Sequence, residues 1–283
     1  MAQSNVPVMQ SVTAAFQFWR MAWRPAVGAL ALLTVVGTLQ SYWSLTDAVG
    51  LSLLMFGALL LVSPVALGAL YRQAFADEHP GDPAFRLGPA GLQWGAMEWR
   101  LLGASLLVML FAVILMALFF LVLVIAVVMI AGGSGLGAQA SPDQIAEALG
   151  VTGVLLLLAL FLVMAAAFIY LGIRLALVAP ATAASGKVMV FETWPLTKGQ
   201  FWPLLGAMIL VALPTIVAAI VVGVVEGAVS GGGAVSSASA AVLALATSVI
   251  AAFVQAPLSA GLLAYLYRGL RPAGPAAPAQ AAA

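Results

Sequence analysis

Few residues in this sequence are able to do acid–base, nucleophilic or metal chemistry. The chain has no cysteine and one histidine, His79, which excludes thiol nucleophiles, disulfides, cysteine-bound metals and histidine-rich metal sites. Asp77, Glu78 and Asp82 lie near that histidine, but the surrounding Pro-Gly-Asp-Pro segment is typical of a turn. The sequence contains no Walker loop, zincin motif or Gly-x-Ser-x-Gly elbow. We therefore expect no catalytic residue, no cofactor and no metal, and hence a protein that is not an enzyme.

Five charged or aromatic residues are candidates for contact with membrane lipids or with a partner protein. They lie in or beside one polar loop and are Arg174, Glu192, Trp194, Lys198 and Trp202. Arg174 precedes Pro180 closely enough for its long side chain to reach the membrane interface. Three interpretations of Arg174 stay open: an interfacial anchor, a contact to a lipid headgroup, or an ion pair with Glu192. For the loop residues, the alternative is an ordinary solvated loop face.

The composition decides which class of protein positions these residues. Of the 283 residues, 64% are hydrophobic and 7% are charged, and the mean hydropathy is +1.16. A soluble domain carries about 25% charged residues, so a water-soluble protein is excluded. The net charge of +1 with no basic cluster also leaves nothing to bind a nucleic-acid backbone, and we expect no nucleic-acid partner.

Six continuous apolar segments are long enough to cross a membrane as helices, which takes about 20 residues each. They lie near 25–45, 48–71, 101–131, 151–180, 204–228 and 240–267. These runs are too long for barrel strands, so the sequence predicts an all-α membrane protein with six transmembrane helices. A further short helix is predicted near 142–149, because Ser141-Pro142 resembles a helix start.

The chain thus divides into three parts. A polar segment, 1–24, precedes a six-helix transmembrane domain, 25–270, and an Ala/Pro-rich tail, 271–283, is expected to be disordered. In the first part, apolar residues recur at helical spacing and predict an amphipathic helix in the cytoplasmic headgroup layer, ended by Pro25. The alternative is an irregular leader that anchors the first span through Trp19 and Trp23.

Charge sorting predicts the orientation of the six helices. With the spans numbered one to six, the N-terminal segment, the even-to-odd connections and the C-terminal end all lie on one side of the membrane. All ten Lys and Arg residues fall in these parts or close to that side. The charged residues in the odd-to-even connections and at their borders are all acidic: Asp47, Asp143, Glu147 and Glu226. The positive-inside rule then places both termini in the cytoplasm.

The six helices also suggest three repeated hairpins. Spans one, three and five begin with a Trp followed shortly by Gly-Ala, most clearly in the Leu-Leu-Gly-Ala runs that follow Trp99 and Trp202. Each hairpin closes near a proline: Pro64, Pro180 or Pro257. Trp prefers the interface, and small pairs let helices approach closely. The alternative is coincidence, because these residues are common at membrane boundaries.

One segment of the chain resembles a loose bacterial superfamily. The resemblance is carried by Arg174, Pro180, Gly186 and residues 193–202, which read Thr-Trp-Pro-Leu-Thr-Lys-Gly-Gln-Phe-Trp. The superfamily contains the membrane domain of glycerophosphoryl diester phosphodiesterases and related uncharacterised six-span proteins of the YciC type. The resemblance implies a six-span fold in the bacterial inner membrane. It implies no phosphate chemistry, because the phosphodiesterase domain is absent and basic residues usual before and within the motif are missing here.

These observations favour a non-catalytic integral inner-membrane protein. We expect a scaffold, an assembly factor or an envelope-lipid-associated component that meets membrane lipids, or a membrane-protein partner through its cytoplasmic loops. The alternative is a transporter or channel for a neutral or lipidic substrate, since repeated hairpins and proline-broken helices occur in transporters. A membrane enzyme ranks last, because no acid–base pair is visible.

Overall fold

The computed structural model describes residues 7–46, 48–133, 142–230 and 236–271. Within these ranges the chain forms helices and turns with no strand, which confirms the all-α fold. The α-helices are α1 Val8–Ala22, α2 Val27–Leu45, α3 Val49–Phe75, α4 Ala96–Gly133, α5 Pro142–Leu175, α6 Val178–Ser185, α7 Phe201–Ser230, α8 Ser237–Ile250 and α9 Ala256–Leu270. Six helical segments in the described ranges are long and apolar enough to cross a membrane. Asp47 and the predicted disordered tail after Arg271 lie outside the described residues.

The predicted short helix near 142–149 is confirmed. The chain becomes helical at Pro142, and Gly150 then adopts φ +52°, a backbone conformation that costs glycine little. This residue separates the short helical segment from the membrane-length part of α5.

One of the closing prolines, Pro64, lies within a helix rather than at its end. α3 continues through Pro64 to Phe75, and Ser63 Oγ donates a hydrogen bond to the Leu59 carbonyl at 2.7 Å. Pro180 lies in the first turn of α6. The threefold hairpin repeat stays a prediction.

Pro257 follows a π-helical turn, Ala251–Gln255, that joins α8 to α9 without a break. In a regular helix, the N–H of residue 257 would donate to the carbonyl of Phe253, but proline has no N–H. The indole Nε1 of Trp19 donates to that carbonyl instead, at 2.7 Å. A side chain from α1 therefore completes the backbone hydrogen bonding of the α8–α9 run.

α1 forms as a helix and ends before Pro25. Its side chains contact α9 and α7, and Ser11, Ala15 and Ala22 are buried. Much of the face predicted to meet lipid is therefore covered by protein. The placement of this helix in the headgroup layer stays a prediction.

The core lies at one end of the bundle. We call this the basic end; there α2, α4 and α7 begin and α3, α5 and α9 end. Large side chains from several helices are fully buried in it, including Leu30, Leu70, Phe75, Leu177, Leu204, Leu258, Leu262 and Leu266. By contrast, most side chains in the far parts of α4, α5 and α7 are exposed. The basic end is the packed part of the protein, and those far parts are left to face lipid.

Candidate functional site

Arg174, near the C-terminal end of α5, joins that helix to the loop before α7. Its Nε and Nη2 donate to the hydroxyl oxygen of Tyr170 at 3.1 and 3.0 Å. Its Nη1 donates to Thr197 Oγ1 at 3.2 Å and to the Trp194 carbonyl at 3.4 Å. The guanidinium also lies over the rings of Tyr170 and Trp194, 5.1 and 5.7 Å from their centroids. Arg174 thus holds a loop in place, and its donors are largely occupied.

The structure brings Arg174 and Trp194 together but leaves the other three predicted site residues apart from them. Glu192 and Lys198 are exposed, and the ion pairs among the described residues involve Glu78 and Glu98 rather than Glu192. The ion pair with Glu192, one of the three interpretations of Arg174, does not form among the described residues. Trp202 is 76% exposed and contacts the ring of Phe201 edge-on.

The motif that contains Trp194 has a structural role. Thr193, Thr197 and Gln200 are buried, and Thr193 Oγ1 donates to the Val190 carbonyl at 2.8 Å. Gly199 has φ +79°, which an L side chain rarely adopts. These residues fold the loop tightly against the basic end, so the exposed residues between them are the ones free to meet lipid or a partner.

Arg174→Lys is expected to lower the free energy of unfolding by about 1–2 kcal/mol, because hydrogen bonds to a charged donor are lost. A lysine ammonium keeps the charge but cannot reproduce the fork that bonds Tyr170 and Thr197 together. Denaturant unfolding of the purified protein in detergent micelles measures the change. Lys198→Gln, at an exposed position, serves as the control, and equal stability of the two variants would contradict a holding role for Arg174.

A second charged site was missed by sequence reasoning. Arg72 and Glu98 form a two-pronged ion pair that is almost fully buried, with residue exposures of 4% and 0%. Arg72 Nη2 lies 2.9 Å from Glu98 Oε2 and Nη1 pairs with Oε1. Arg72 Nε donates to the Ala84 carbonyl at 3.0 Å, and the Gly95 N–H donates to Glu98 Oε2 at 2.8 Å. The pair links α3, α4 and the connection between them.

Two sequence features point to this ion pair in retrospect. Glu98 is an acidic residue in the first turn of α4, on the side of the membrane where the basic residues collect. Gly68 lies one helical turn before Arg72, and a Cβ at Gly68 would overlap Glu98 Oε1. Glycine is therefore required for the carboxylate to approach α3 closely.

Three cavities lie between the helices of the bundle. One of about 370 Å³ separates α7 from α8 and the π-helical turn, and one of about 280 Å³ separates α7 from α9. Both are lined by Ala212, Ile216 and Gln255, and we call them together the Gln255 groove. A third, of about 310 Å³, lies between α2, α3 and α8 and is lined partly by Gln40, Ser63 and Ser248. None of the residues lining these three cavities is charged.

Gln255 has an unusual position in the Gln255 groove. It closes the π-helical turn near the middle of the continuous helical run from Ser237 to Leu270. π-Helical turns occur frequently at functional sites. The hydroxyls of Thr215 and Thr247 donate to carbonyls of their own helices, whereas the Gln255 amide has no hydrogen bond with a described residue. An unpaired amide in an apolar environment is costly.

Comparison with known proteins gives no match to a protein-family model, a curated protein or a solved structure. The resemblance carried by residues 174–202 therefore stays a prediction.

Proposed function

We propose that this chain is a non-catalytic integral protein of the bacterial inner membrane that binds membrane lipid, with both termini in the cytoplasm. The observation that carries the proposal is the Gln255 amide, which has no described hydrogen-bond partner and faces an uncharged groove within the membrane-length helices. The charge sorting of all ten Lys and Arg residues supports the orientation.

The Gln255 groove has the chemistry of a lipid site. Its walls are mostly methyl-bearing side chains such as Ala212 and Ile216, which suit an acyl chain. An amide on one wall is able to donate to an ester carbonyl or to a hydroxyl of the glycerol region. The exposed side chains of Lys198 and Trp202 at the basic end are further candidates for contact with headgroups or with a partner protein.

Ala212→Phe is expected to remove most of the phospholipid that the purified protein retains, because the larger ring fills a wall shared by both cavities of the Gln255 groove. Gln255→Leu keeps the volume but removes the polar partner, and it is expected to weaken retention about tenfold, the effect of one lost hydrogen bond to an otherwise unpaired group. Native mass spectrometry of the protein released from lipid nanodiscs measures retention.

The control is Val217→Phe, an addition of similar size at a position of the same helix that is 58% exposed and lines neither cavity. Loss of lipid in this variant as well would mean that any bulky change on α7 disturbs the protein. A wild-type protein that leaves the nanodisc without phospholipid would overturn the proposal.

A second candidate function is transport of a neutral or lipidic substrate. Uncharged cavities lined partly by hydroxyl and amide groups within membrane-length helices favour it, as does the π-helical interruption of the α8–α9 run. The buried residues at the basic end close that side in this conformation. A lipid-scrambling assay with fluorescent phospholipids in proteoliposomes tests this function, and a rate equal to that of protein-free liposomes would contradict it.

A further inference from the structure

A separate cavity of about 590 Å³ lies at the basic end. It is bounded by the connection between α3 and α4, the first turns of α4, and the C-terminal end of α6. Its lining includes the polar residues Arg72, His79, Asp82, Gln93 and Arg100. We call it the basic-end pocket. It shares no lining residue with the Gln255 groove.

Two charged groups in the basic-end pocket, Arg100 and Asp82, are available to a ligand, whereas a third is not. Arg72 is occupied by Glu98 and the Ala84 carbonyl. Arg100, by contrast, has no ion pair or hydrogen bond with a described residue. Its Nη1 lies 3.3 Å from where a Cβ on Gly186 would be, and Gly186 has φ +65° at the end of α6. A glycine at this position therefore leaves space beside the guanidinium.

Asp82 presents the opposite charge in the same pocket. Its Oδ1 accepts the Ala84 N–H at 2.8 Å, and its second carboxylate oxygen has no hydrogen bond with a described residue. The helical turn that follows Asp82 depends only on Oδ1 as a cap. The pocket thus offers one guanidinium and one carboxylate oxygen, so that its uncompensated charges sum to zero.

Aromatic residues form part of the wall and stand near the pocket. The ring of His79 stacks on Phe85, with centroids 4.1 Å apart. Trp94 lines the pocket and meets Trp99 edge-on at 5.1 Å. These two tryptophans are 40% and 61% exposed. Exposed tryptophans on a membrane protein favour the headgroup level of the bilayer, which places the pocket where a phospholipid headgroup resides.

We propose that the basic-end pocket binds a zwitterionic group of the phosphoethanolamine type, with Arg100 on the phosphate and Asp82 on the ammonium. A guanidinium bonds phosphate oxygens in a fork, and charge-assisted hydrogen bonds are the strong ones. An anionic glycerol headgroup would leave Asp82 facing negative charge, and a choline headgroup has no N–H to donate to Asp82. The assignment of a lipid as the source rests on the proposed lipid-binding function; the charge pairing does not.

The test equilibrates the full-length protein with equimolar phosphatidylethanolamine, phosphatidylcholine and phosphatidylglycerol of identical acyl chains, and native mass spectrometry counts the lipids retained. Wild-type protein is expected to prefer phosphatidylethanolamine about tenfold over each competitor, the effect of one charge-assisted hydrogen bond. Arg100→Gln is expected to lower the retention of all three lipids alike, because it removes the partner of the phosphate that they share. Asp82→Asn keeps an oxygen for the Ala84 N–H but is expected to bind phosphatidylethanolamine and phosphatidylcholine equally.

Arg86→Gln and Asp77→Asn are the matched controls, because both residues are exposed and neither lines the pocket. Retention without headgroup preference in the wild type, preference unchanged in Asp82→Asn, or unchanged retention of all three lipids in Arg100→Gln overturns the pocket proposal while leaving lipid binding intact. Retention of no phospholipid overturns the proposed function instead. In that case, calorimetric titration with free O-phosphoethanolamine decides the pocket proposal: binding that is lost in both pocket variants supports it, and the absence of binding overturns it.

Discussion

Glu98→Ala is expected to lower the free energy of unfolding by about 3–5 kcal/mol, the usual cost of leaving one member of a buried ion pair without its partner. Arg72 is 4% exposed, so water replaces the missing carboxylate only poorly. The Gly95 N–H would also lose its acceptor at the start of α4. The substitution therefore weakens the packed end of the bundle, on which the rest of the structure depends.

Equilibrium unfolding in mixed micelles with increasing SDS measures this effect. The double variant Arg72→Met with Glu98→Leu is expected to recover most of the lost stability, because replacing a buried pair by apolar groups of similar volume is often neutral. Glu192→Ala removes an exposed carboxylate on the same side of the protein and serves as the control. If Glu98→Ala and Glu192→Ala unfolded at the same SDS content, Arg72 would have to be hydrated and the pair would not be buried.

Gly261→Leu is expected to detach α1 from the rest of the protein. A Cβ at this position would lie 2.7 Å from Phe18 Cδ1 and 2.9 Å from Phe18 Cβ, so the side chain and backbone of α1 must move. Overpacking of this kind costs about 1–3 kcal/mol. Loss of α1 would also remove the Trp19 indole from the Phe253 carbonyl, whose regular helical donor is missing at Pro257.

The cysteine-free sequence provides a direct measurement of this detachment. Ser11 lies on the buried face of α1 with 0% exposure, so a cysteine introduced by Ser11→Cys is expected to react slowly with a maleimide in membranes. Adding Gly261→Leu is expected to raise that rate at least tenfold, which corresponds to about 1.4 kcal/mol in the opening equilibrium. Gly206→Leu, where a Cβ would meet nothing within 4 Å, is the control. Equal rates in both backgrounds would show that α1 does not depend on the contact at Gly261.

The six spans could be predicted because run length and hydropathy are local properties of the sequence. The ends of the helices were predicted less accurately. α4 begins at Ala96 rather than near Leu101, because its first turn contains Glu98, whose charge ends the apolar pattern in the sequence. That charge is neutralised by Arg72, 26 positions away, which no local pattern indicates. The π-helical turn was also not predicted, because a change in helical period leaves no trace in a segment that is apolar on every side.

The candidate site was predicted only in part. The sequence offered Arg174 and Trp194 as candidates for contact with lipid or a partner, which stays a prediction, and the structure shows that they contact each other and hold the loop. Thr197 and Gln200 were overlooked because threonine and glutamine in a loop are usually exposed. Arg100 was considered for orientation, and Asp82 for a metal site or a turn, since their shared pocket depends on how α3, α4 and α6 meet.

Because the core lies at the basic end, that end of the protein is expected to be more rigid than the far parts of its helices. A thinner or thicker bilayer, or a change in lateral pressure in one leaflet, acts most strongly on the parts of α4, α5 and α7 that have few protein neighbours. Helices adapt to such mismatch by tilting at a modest cost. Tilting about a fixed base would alter the width of the gap between α7 and the α8–α9 run while the buried leucines stay in place. The accessibility of the Gln255 groove is therefore expected to follow the thickness of the surrounding membrane.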